Sequence, residues 1–171
     1  MNIVSLTFNK LLKLILNNYL NSYLKDYLSK NLLNQYLVFG DHSKLKIAKN
    51  AIVNNALFNL ESGTITIEDY VFFGHNVSIL TGTHDYNKFG RERQLAVTAE
   101  RDVVIKEGAW IASNVTILGP CTVGEHSVVA AGALVKENVP PYTVVAGLPA
   151  RVIKKIASDN NSVNANYELL T

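Results

Sequence analysis

The chain of 171 residues is long enough for one domain, or for one domain with an appendage. Hydrophobic residues make up 48% of the sequence, which excludes a wholly disordered protein. Its 16 basic and 14 acidic residues leave a formal charge of +2, so no concentrated positive field indicates a nucleic acid as partner.

Residues 1–40 show a helical period without proline. Leucines follow one another at intervals of four, and three tyrosines form a neighbouring row: Leu12, Leu16, Leu20, Leu24, Leu28, Tyr19, Tyr23 and Tyr27. This spacing predicts one or two amphipathic helices, and the polar residues among them make the segment too polar to span a bilayer. A basic amphipathic helix can lie on an anionic membrane. We favour packing on the protein body or a neighbouring subunit over that peripheral membrane contact.

A six-residue repeat replaces the helical period in the domain that we predict over residues 41–156. β-Branched aliphatic residues recur at every sixth position: Ile105, Ile111, Ile117, Val123, Val129 and Val135. Four residues after each comes a smaller one: Ala109, Val115, Cys121, Ser127, Ala133 and Val139. Upstream, Ile67, Phe73 and Ile79 continue the six-residue spacing, and Thr83 follows Ile79 by four. Val53, with Leu57 four residues later, extends the pattern further back, with a frame slip before Ile67.

Six residues are too few for a hairpin, so each unit is a short strand followed by a corner. The aliphatic side chain points inward on the strand, and each unit stacks on its equivalent in the next coil through parallel hydrogen-bonded ladders. The repeat therefore predicts a mainly β fold, a parallel β-helix, after an N-terminal α-helical segment. Residues 157–171 are rich in Asn and Ser and are expected to form a flexible tail.

The run "WIASNVTILGPCTVGEHSVVAAGALVKENVPP" and the ending "VPPYTVVAGLPARVI" resemble the hexapeptide repeat of left-handed parallel β-helix acyltransferases. The similarity is to the branch of maltose, galactoside and polysaccharide O-acetyltransferases. It implies a left-handed coil, a homotrimer with active sites between subunits, and acetyl-CoA as acyl donor.

The repeat is interrupted by residues 84–101, "HDYNKFGRERQLAVTAER", and inserted loops often carry function. The resemblance implies that His84, in "TGTH", is the catalytic base. A neutral imidazole with an ordinary pKa near 6.5 can take the proton of a hydroxyl at physiological pH. The resemblance also places Ser113, in "WIASNV", where it stabilises the oxyanion.

The same resemblance assigns the binding residues. The pantetheine arm of coenzyme A would lie beside Ala112, Ser113, Ala131 and Gly132, and its phosphates would meet Lys136, Arg151 and Lys154. Acceptor-binding candidates are Asn54, Asn55, His75, Asp85 and Trp110. We interpret Cys121 as a core residue rather than a nucleophile. His126, at a non-core position of the repeat, and His42, in the connection before the coil, are weaker candidates than His84. The histidine spacing does not favour a metal site.

These features predict an acetyl-CoA-dependent O-acetyltransferase acting on a hydroxyl of a sugar or glycan precursor. One alternative is an N-acetyltransferase for an amino sugar nucleotide, a class that usually carries an extra nucleotide-binding domain. Another is a non-catalytic trimeric coil that serves as a scaffold. Because Cys121 is the single cysteine and we find no signal peptide, we expect a cytoplasmic location.

Overall fold

The computed structural model describes residues 3–31 and 35–157, with side chains over 10–28 and 35–157. Two compact units divide the chain between Gln35 and Tyr36. In chain order the helices are α1 (Ile3–Asn31) and α2 (Gly90–Leu95). The strands are β1 (Leu37–Phe39), β2 (Leu45–Ile47), β3 (Leu57–Asn59), β4 (Ile65–Ile67), β5 (Phe72–Phe73), β6 (Ser78–Leu80), β7 (Val103–Ile105), β8 (Trp110–Ile111), β9 (Thr116–Leu118), β10 (Cys121–Val123), β11 (Val128–Val129), β12 (Leu134–Val135), β13 (Thr143–Gly147) and β14 (Ala150–Lys155).

The strands of the second unit form the three faces of a left-handed parallel β-helix, as predicted. Sheet 1 has the order β1-β3-β6-β9-β12, sheet 2 the order β2-β4-β7-β10, and sheet 3 the order β5-β8-β11-β13-β14. From β1 to β13, successive strands along the chain belong to different sheets, so each strand pairs with its equivalent one coil away. These pairs are parallel, and the final pair, β13 with β14, is antiparallel.

The six-residue period produces the core because equivalent hexad positions stack in register. Ile67 pairs with Ile105, which pairs with Val123. Ile79 pairs with Ile117, which pairs with Val135. The twelve aliphatic and small positions predicted between Ile105 and Val139 are no more than 5% exposed. The β-branched side chains therefore fill the interior, where they are removed from water.

Upstream, the predicted frame was wrong at two positions. Leu57 is 36% exposed, whereas Phe58 is fully buried and pairs with Ile79. Thr83 is half-buried, and Thr81 is the buried residue instead. The step from Val53 to the next inward strand residue, Phe58, is five residues instead of six. The corner that follows β3 is longer and compensates for this shortening. The repeat alone did not reveal this compensation.

One corner of the coil carries a column of left-handed backbone conformations. Between sheets 3 and 1, φ is +46° at Asn54, +57° at Asn76, +60° at Asn114 and +72° at Gly132. Asparagine and glycine adopt this conformation more readily than other residues. We call this column the asparagine corner and define it by Asn54, Asn55, His75, Asn76, Ser113, Asn114, Ala131 and Gly132.

The first unit contains the helix α1, and its apolar residues do not form one straight face. Apolar pairs recur every four residues, from Leu11 and Leu12 to Tyr27 and Leu28, and all are exposed. With about 100° between successive residues, a step of four advances the stripe by about 40°. The stripe therefore winds around the helix instead of facing one side, which corrects the simple amphipathic prediction. Neither described helix is long and apolar enough to cross a membrane.

The boundary predicted at residue 40 also requires correction. Strand β1 lies before it and pairs with β3, so the first strand of the coil belongs to the predicted helical segment. The predicted loop over 84–101 contains the short helix α2. Most of the predicted tail, residues 158–171, lies outside the described residues.

Candidate active site

His84 lies at the edge of the coil where the chain leaves sheet 1 after β6. The residue is exposed and forms an isolated antiparallel bridge with Val97. The backbone N–H of Asp85 donates to the carbonyl of Ala96 at 2.9 Å, so the two ends of the loop are joined beside the histidine. An open groove of about 450 Å³ is lined by Thr83, His84, Asp85, Tyr86, Ala96, Val97, Thr98 and Arg101. We call this the His84 groove.

Asp85 shapes the loop through its own side chain. Its Oδ1 accepts the backbone N–H of Asn87 at 2.9 Å and the Asn87 side-chain amide at 3.2 Å. This is an Asx turn, in which a short carboxylate substitutes for a backbone acceptor. The structure therefore places Asp85 in the His84 groove with one carboxylate oxygen already used to hold the loop.

Ser113 lies on the asparagine corner, where successive coils contact one another through polar groups. Its Oγ accepts the backbone N–H of His75 at 3.0 Å, and its carbonyl accepts the N–H of Gly132 at 3.0 Å. The hydroxyl hydrogen of Ser113 is not used in either bond, so it can be donated to a ligand. A Cβ built at Gly132 meets no atom within 4 Å, so this part of the corner is open.

Three other predicted residues belong to the same corner. Asn54 donates from Nδ2 to the carbonyl of Phe73 at 2.7 Å. The Oδ1 of Asn55 accepts the N–H of Asn76 at 2.9 Å and lies 3.3 Å from Nδ1 of His75. These contacts give Asn54 and Asn55 a role in closing the corner. Their proposed contact with an acceptor stays a prediction.

Trp110 lies next to this corner on the outer surface of sheet 3. Its ring stacks on Phe72 with 5.7 Å between the ring centroids and 15° between the planes. Trp110 is 44% exposed, which leaves one part of the indole available to a ligand or another chain.

Lys136 and Arg151 are brought together although they are far apart in sequence. Both line a groove of about 170 Å³ between the segment after β12 and strand β14. Arg151 donates to the carbonyl of Ala150 at 2.8 Å, and the ammonium of Lys136 lies 3.7 Å from the carboxylate of Glu137. Lys154 is exposed on β14 and does not line this groove.

Within one chain, the asparagine corner and the His84 groove lie at opposite ends of the sheet 1 strands. The corner precedes β6 at Asn76, and the groove follows β6 after Thr81. From Asn76 to Thr81 the chain takes five residue steps, which at 3.3 Å per extended residue separate the two regions by about 16 Å. The predicted base and the predicted oxyanion residue are therefore not adjacent in a single subunit.

Two residues of this region were not predicted. The Oδ1 of Asn59 accepts the N–H groups of Glu61 and Gly82, each at 3.1 Å. A Cβ at Gly82 would approach that oxygen to 2.5 Å, so the glycine in "TGTH" is a sequence signal for this contact. Arg101 lines the His84 groove and is the last residue of the interrupting segment. No sequence motif includes it.

Cys121 is buried in the core, and burial raises the pKa of its thiol to about 11. This favours the predicted packing role, because a nucleophilic cysteine requires the thiolate. Among the described residues, no group of three or more His, Cys, Asp and Glu side chains could hold a metal ion.

Comparison with known proteins assigns the fold to a family. The family model described as bacterial transferase hexapeptide (six repeats) matches residues 102–137. A solved maltose O-acetyltransferase from Clostridium difficile is 31% identical, over 72% of this chain and 68% of that one, with a TM-score of 0.53. The chain belongs to the hexapeptide-repeat acetyltransferase family.

Two further members of this family are similar. The galactoside O-acetyltransferase of Escherichia coli is 34% identical over 71% of this chain and 58% of that protein. A hexapeptide-repeat acetyltransferase from Vibrio cholerae, solved with acetyl coenzyme A, is 28% identical over 80% of this chain and 79% of that one, with a TM-score of 0.53. The chain spans about three fifths of the length of the curated relatives that it matches.

Proposed function

We propose that this protein is an acetyl-CoA-dependent O-acetyltransferase whose acceptor is a hydroxyl on a sugar or glycan precursor. The observation that carries the proposal is the position of His84, exposed in an open groove at the edge of a hexapeptide-repeat coil. The names of the relatives support the acceptor class, since they include galactoside and maltose O-acetyltransferases. A structure with acetyl coenzyme A supports the donor.

The assembly that we propose is a homotrimer with each active site between two subunits. The separation of about 16 Å between the His84 groove and the asparagine corner supports this arrangement. One subunit contributes His84, and the adjacent subunit contributes Ser113 and the open corner beside Ala131 and Gly132. In symmetric assemblies each interface repeats, so a trimer of this kind has three equivalent sites.

The chemistry follows from the residues. The neutral imidazole of His84 accepts the proton of the acceptor hydroxyl while its oxygen attacks the thioester carbonyl. The Ser113 hydroxyl donates to the oxygen on which negative charge develops. When the C–S bond breaks, the imidazolium returns the proton to the leaving thiolate. The charged groove of Lys136 and Arg151 holds the phosphates of the donor, as cations commonly do.

The open part of the asparagine corner is the proposed binding site for the pantetheine arm of acetyl-CoA. Ala112, Ala131 and Gly132 have small side chains or none, and the space beyond a Cβ at Gly132 is open. A narrow aliphatic arm can therefore approach the backbone of the corner closely. These residues and Ser113 form the proposed pantetheine site, with His75, Asn54, Asn55, Asp85 and Trp110 kept as proposed acceptor contacts.

The test measures thiol release from acetyl-CoA with a panel of sugars and amino sugars. His84→Ala is expected to lower kcat/KM by about 10²- to 10⁴-fold, the usual contribution of a general base. His126→Ala is the matched control, because His126 is an exposed histidine that contacts Tyr142 at a different corner. Unchanged turnover in His84→Ala would remove the proposed base.

The product distinguishes the alternatives. Hydroxylamine cleaves an O-acetyl ester and leaves an N-acetyl amide intact, so mass spectrometry before and after treatment separates the two reactions. If no acceptor in the panel leads to thiol release, in the wild type or in the variants, the scaffold interpretation is favoured.

A further inference from the structure

Arg101 shares the groove with His84 but has no role in the proposed acetyl transfer. It is half-buried at the last residue of the interrupting segment, two residues before β7. Arg101 lines the groove together with Thr83, His84 and Asp85. An arginine so close to the proposed base is available to contact the acceptor.

One nitrogen of the Arg101 side chain is fixed by the coil. Its Nε donates to the carbonyl of Thr81 at 3.0 Å. Thr81 is fully buried, and its hydroxyl donates to the carbonyl of Asn59 at 2.8 Å and accepts the N–H of Ser62 at 3.2 Å. The guanidinium is therefore attached to a buried, hydrogen-bonded part of the coil and not to a mobile surface.

The backbone of Arg101 also fits tightly between neighbouring coils. A Cβ at Gly63 would lie 2.6 Å from the carbonyl carbon of Arg101. A Cβ at Gly119, in the coil on the other side, would overlap the carbonyl oxygen of Arg101. Two glycines thus leave room for this residue, and its N–H donates to the carbonyl of Ser62 at 3.1 Å.

The charge of Arg101 is not balanced by an acid within the described part of the chain. Ion pairs there join Lys88 to Glu92, Lys106 to Glu68 and Lys136 to Glu137, and none includes Arg101. Asp85, the acid that lines the same groove, uses Oδ1 to hold Asn87. Arginine has five N–H donors, and after the bond from Nε the four on the terminal nitrogens have no acceptor among the described residues.

We propose that the terminal nitrogens of Arg101 bind an anionic group, a carboxylate or a phosphate, on the acceptor, so that the site prefers acidic or phosphorylated sugars. The planar guanidinium matches both groups because it presents two parallel N–H donors. A residue anchored at Nε presents this fork in a fixed direction. The proposal rests on the proposed function, since it names the class of acceptor that the His84 groove admits.

The kinetic test compares a neutral sugar with two charged ones. Methyl β-glucoside is the neutral acceptor, methyl β-glucuronide carries a carboxylate, and glucose 1-phosphate carries a phosphate. The wild-type enzyme is expected to use at least one charged acceptor with a higher kcat/KM than the neutral methyl β-glucoside. Arg101→Gln should lower that value by about 10- to 100-fold, the range for a hydrogen bond between charged groups, with little change for the neutral glycoside. Arg101→Lys should keep part of the preference.

Arg91→Gln is the matched control, because it removes the same charge from the same loop at a residue that does not line the groove. An equal loss of kcat/KM on all three acceptors in Arg101→Gln indicates a structural role and overturns the proposal. A wild-type preference for the neutral glycoside also overturns it. The charged acceptor that loses most in Arg101→Gln identifies the carboxylate or the phosphate as the ligand.

A binding measurement keeps this test separate from the proposed function. In protein with ¹⁵N-labelled arginine, the Nε–H resonance of Arg101 should shift when methyl β-glucuronide or glucose 1-phosphate is added, and should not shift with methyl β-glucoside. The Arg101→Gln spectrum assigns the resonance. Shifts without turnover would support the anion site and contradict the acetyltransferase. A resonance that neither charged sugar moves contradicts the anion site, whatever the turnover.

Discussion

The side-chain oxygen of Asn59 accepts the backbone N–H of Gly82 at 3.1 Å, two residues before His84. The same oxygen accepts the N–H of Glu61, so a single amide joins the corner after β3 to the turn that leads into the His84 groove. Asn59 therefore fixes the backbone from which the proposed base projects.

We expect Asn59→Ala to lower kcat/KM by about tenfold, because two N–H donors lose their acceptor and the turn before His84 is released. Each lost hydrogen bond contributes about 1 kcal/mol, so the melting temperature should also fall by a few degrees. Asn59→Asp keeps the accepting oxygen and should recover most of the activity. Enzyme assays and thermal unfolding of the two variants check this. Full activity in Asn59→Ala would show that the turn holds its position without the amide.

Much of the fold could be predicted because hexad positions are read directly from side-chain type. Ile105, Ile111 and Ile117 needed only a β-branched residue at each sixth position, and all three are fully buried. The upstream frame failed at Leu57 because the chain shortens one step and lengthens the next corner. A periodic pattern cannot locate two irregularities that compensate for each other.

The site was less accessible to sequence reasoning. The resemblance pointed to His84 and Ser113, and the structure places them on opposite edges of one sheet. Asn59 and Arg101 were missed because neither belongs to a motif. Their importance comes from contacts with residues about twenty positions away, Gly82 and Thr81, that only coil stacking creates. Glycines that admit a neighbouring coil, such as Gly82, are the one signal that the sequence offered.

The stability of the coil should fall at high pH because of Cys121. Burial raises the pKa of this thiol from 9.0 to about 11, and the charge of Arg101 lowers it by a smaller amount. The unfolded thiol releases its proton from about pH 9, while the folded one keeps it until about pH 11. The free energy of unfolding should therefore decrease as pH rises through this window, by about 2 to 3 kcal/mol at its upper end.

Urea denaturation across this range, with Cys121→Val as control, measures the effect. Valine fills a similar volume and does not titrate, so the difference between the two proteins isolates the effect of the thiol. The difference between the two curves should grow above pH 9. Parallel curves would show that the thiol ionises in the folded state as readily as in the unfolded chain.

The helix α1 should act in assembly rather than on a membrane. Between Leu12 and Leu28 the apolar stripe turns by about 160° around the helix. A flat bilayer therefore contacts only part of the stripe, whereas another helix that packs on α1 at an angle can follow it. We expect deletion of residues 1–34, which spares β1, to reduce the trimer fraction in sedimentation velocity. Flotation with vesicles containing anionic lipid should be weak in both proteins. A retained trimer with lost vesicle binding would reverse this assignment.

The central claim, a site built from His84 of one subunit and the asparagine corner of the next, is tested most directly by complementation. His84→Ala removes the base, and Ala131→Trp fills the open corner at an exposed position, so each variant alone should be inactive. In trimers formed by equal co-expression, a site has both intact halves with a probability of one half times one half. The mixture should therefore show about a quarter of the wild-type activity. A co-expressed mixture as inactive as either parent would mean that both halves of the site come from the same chain.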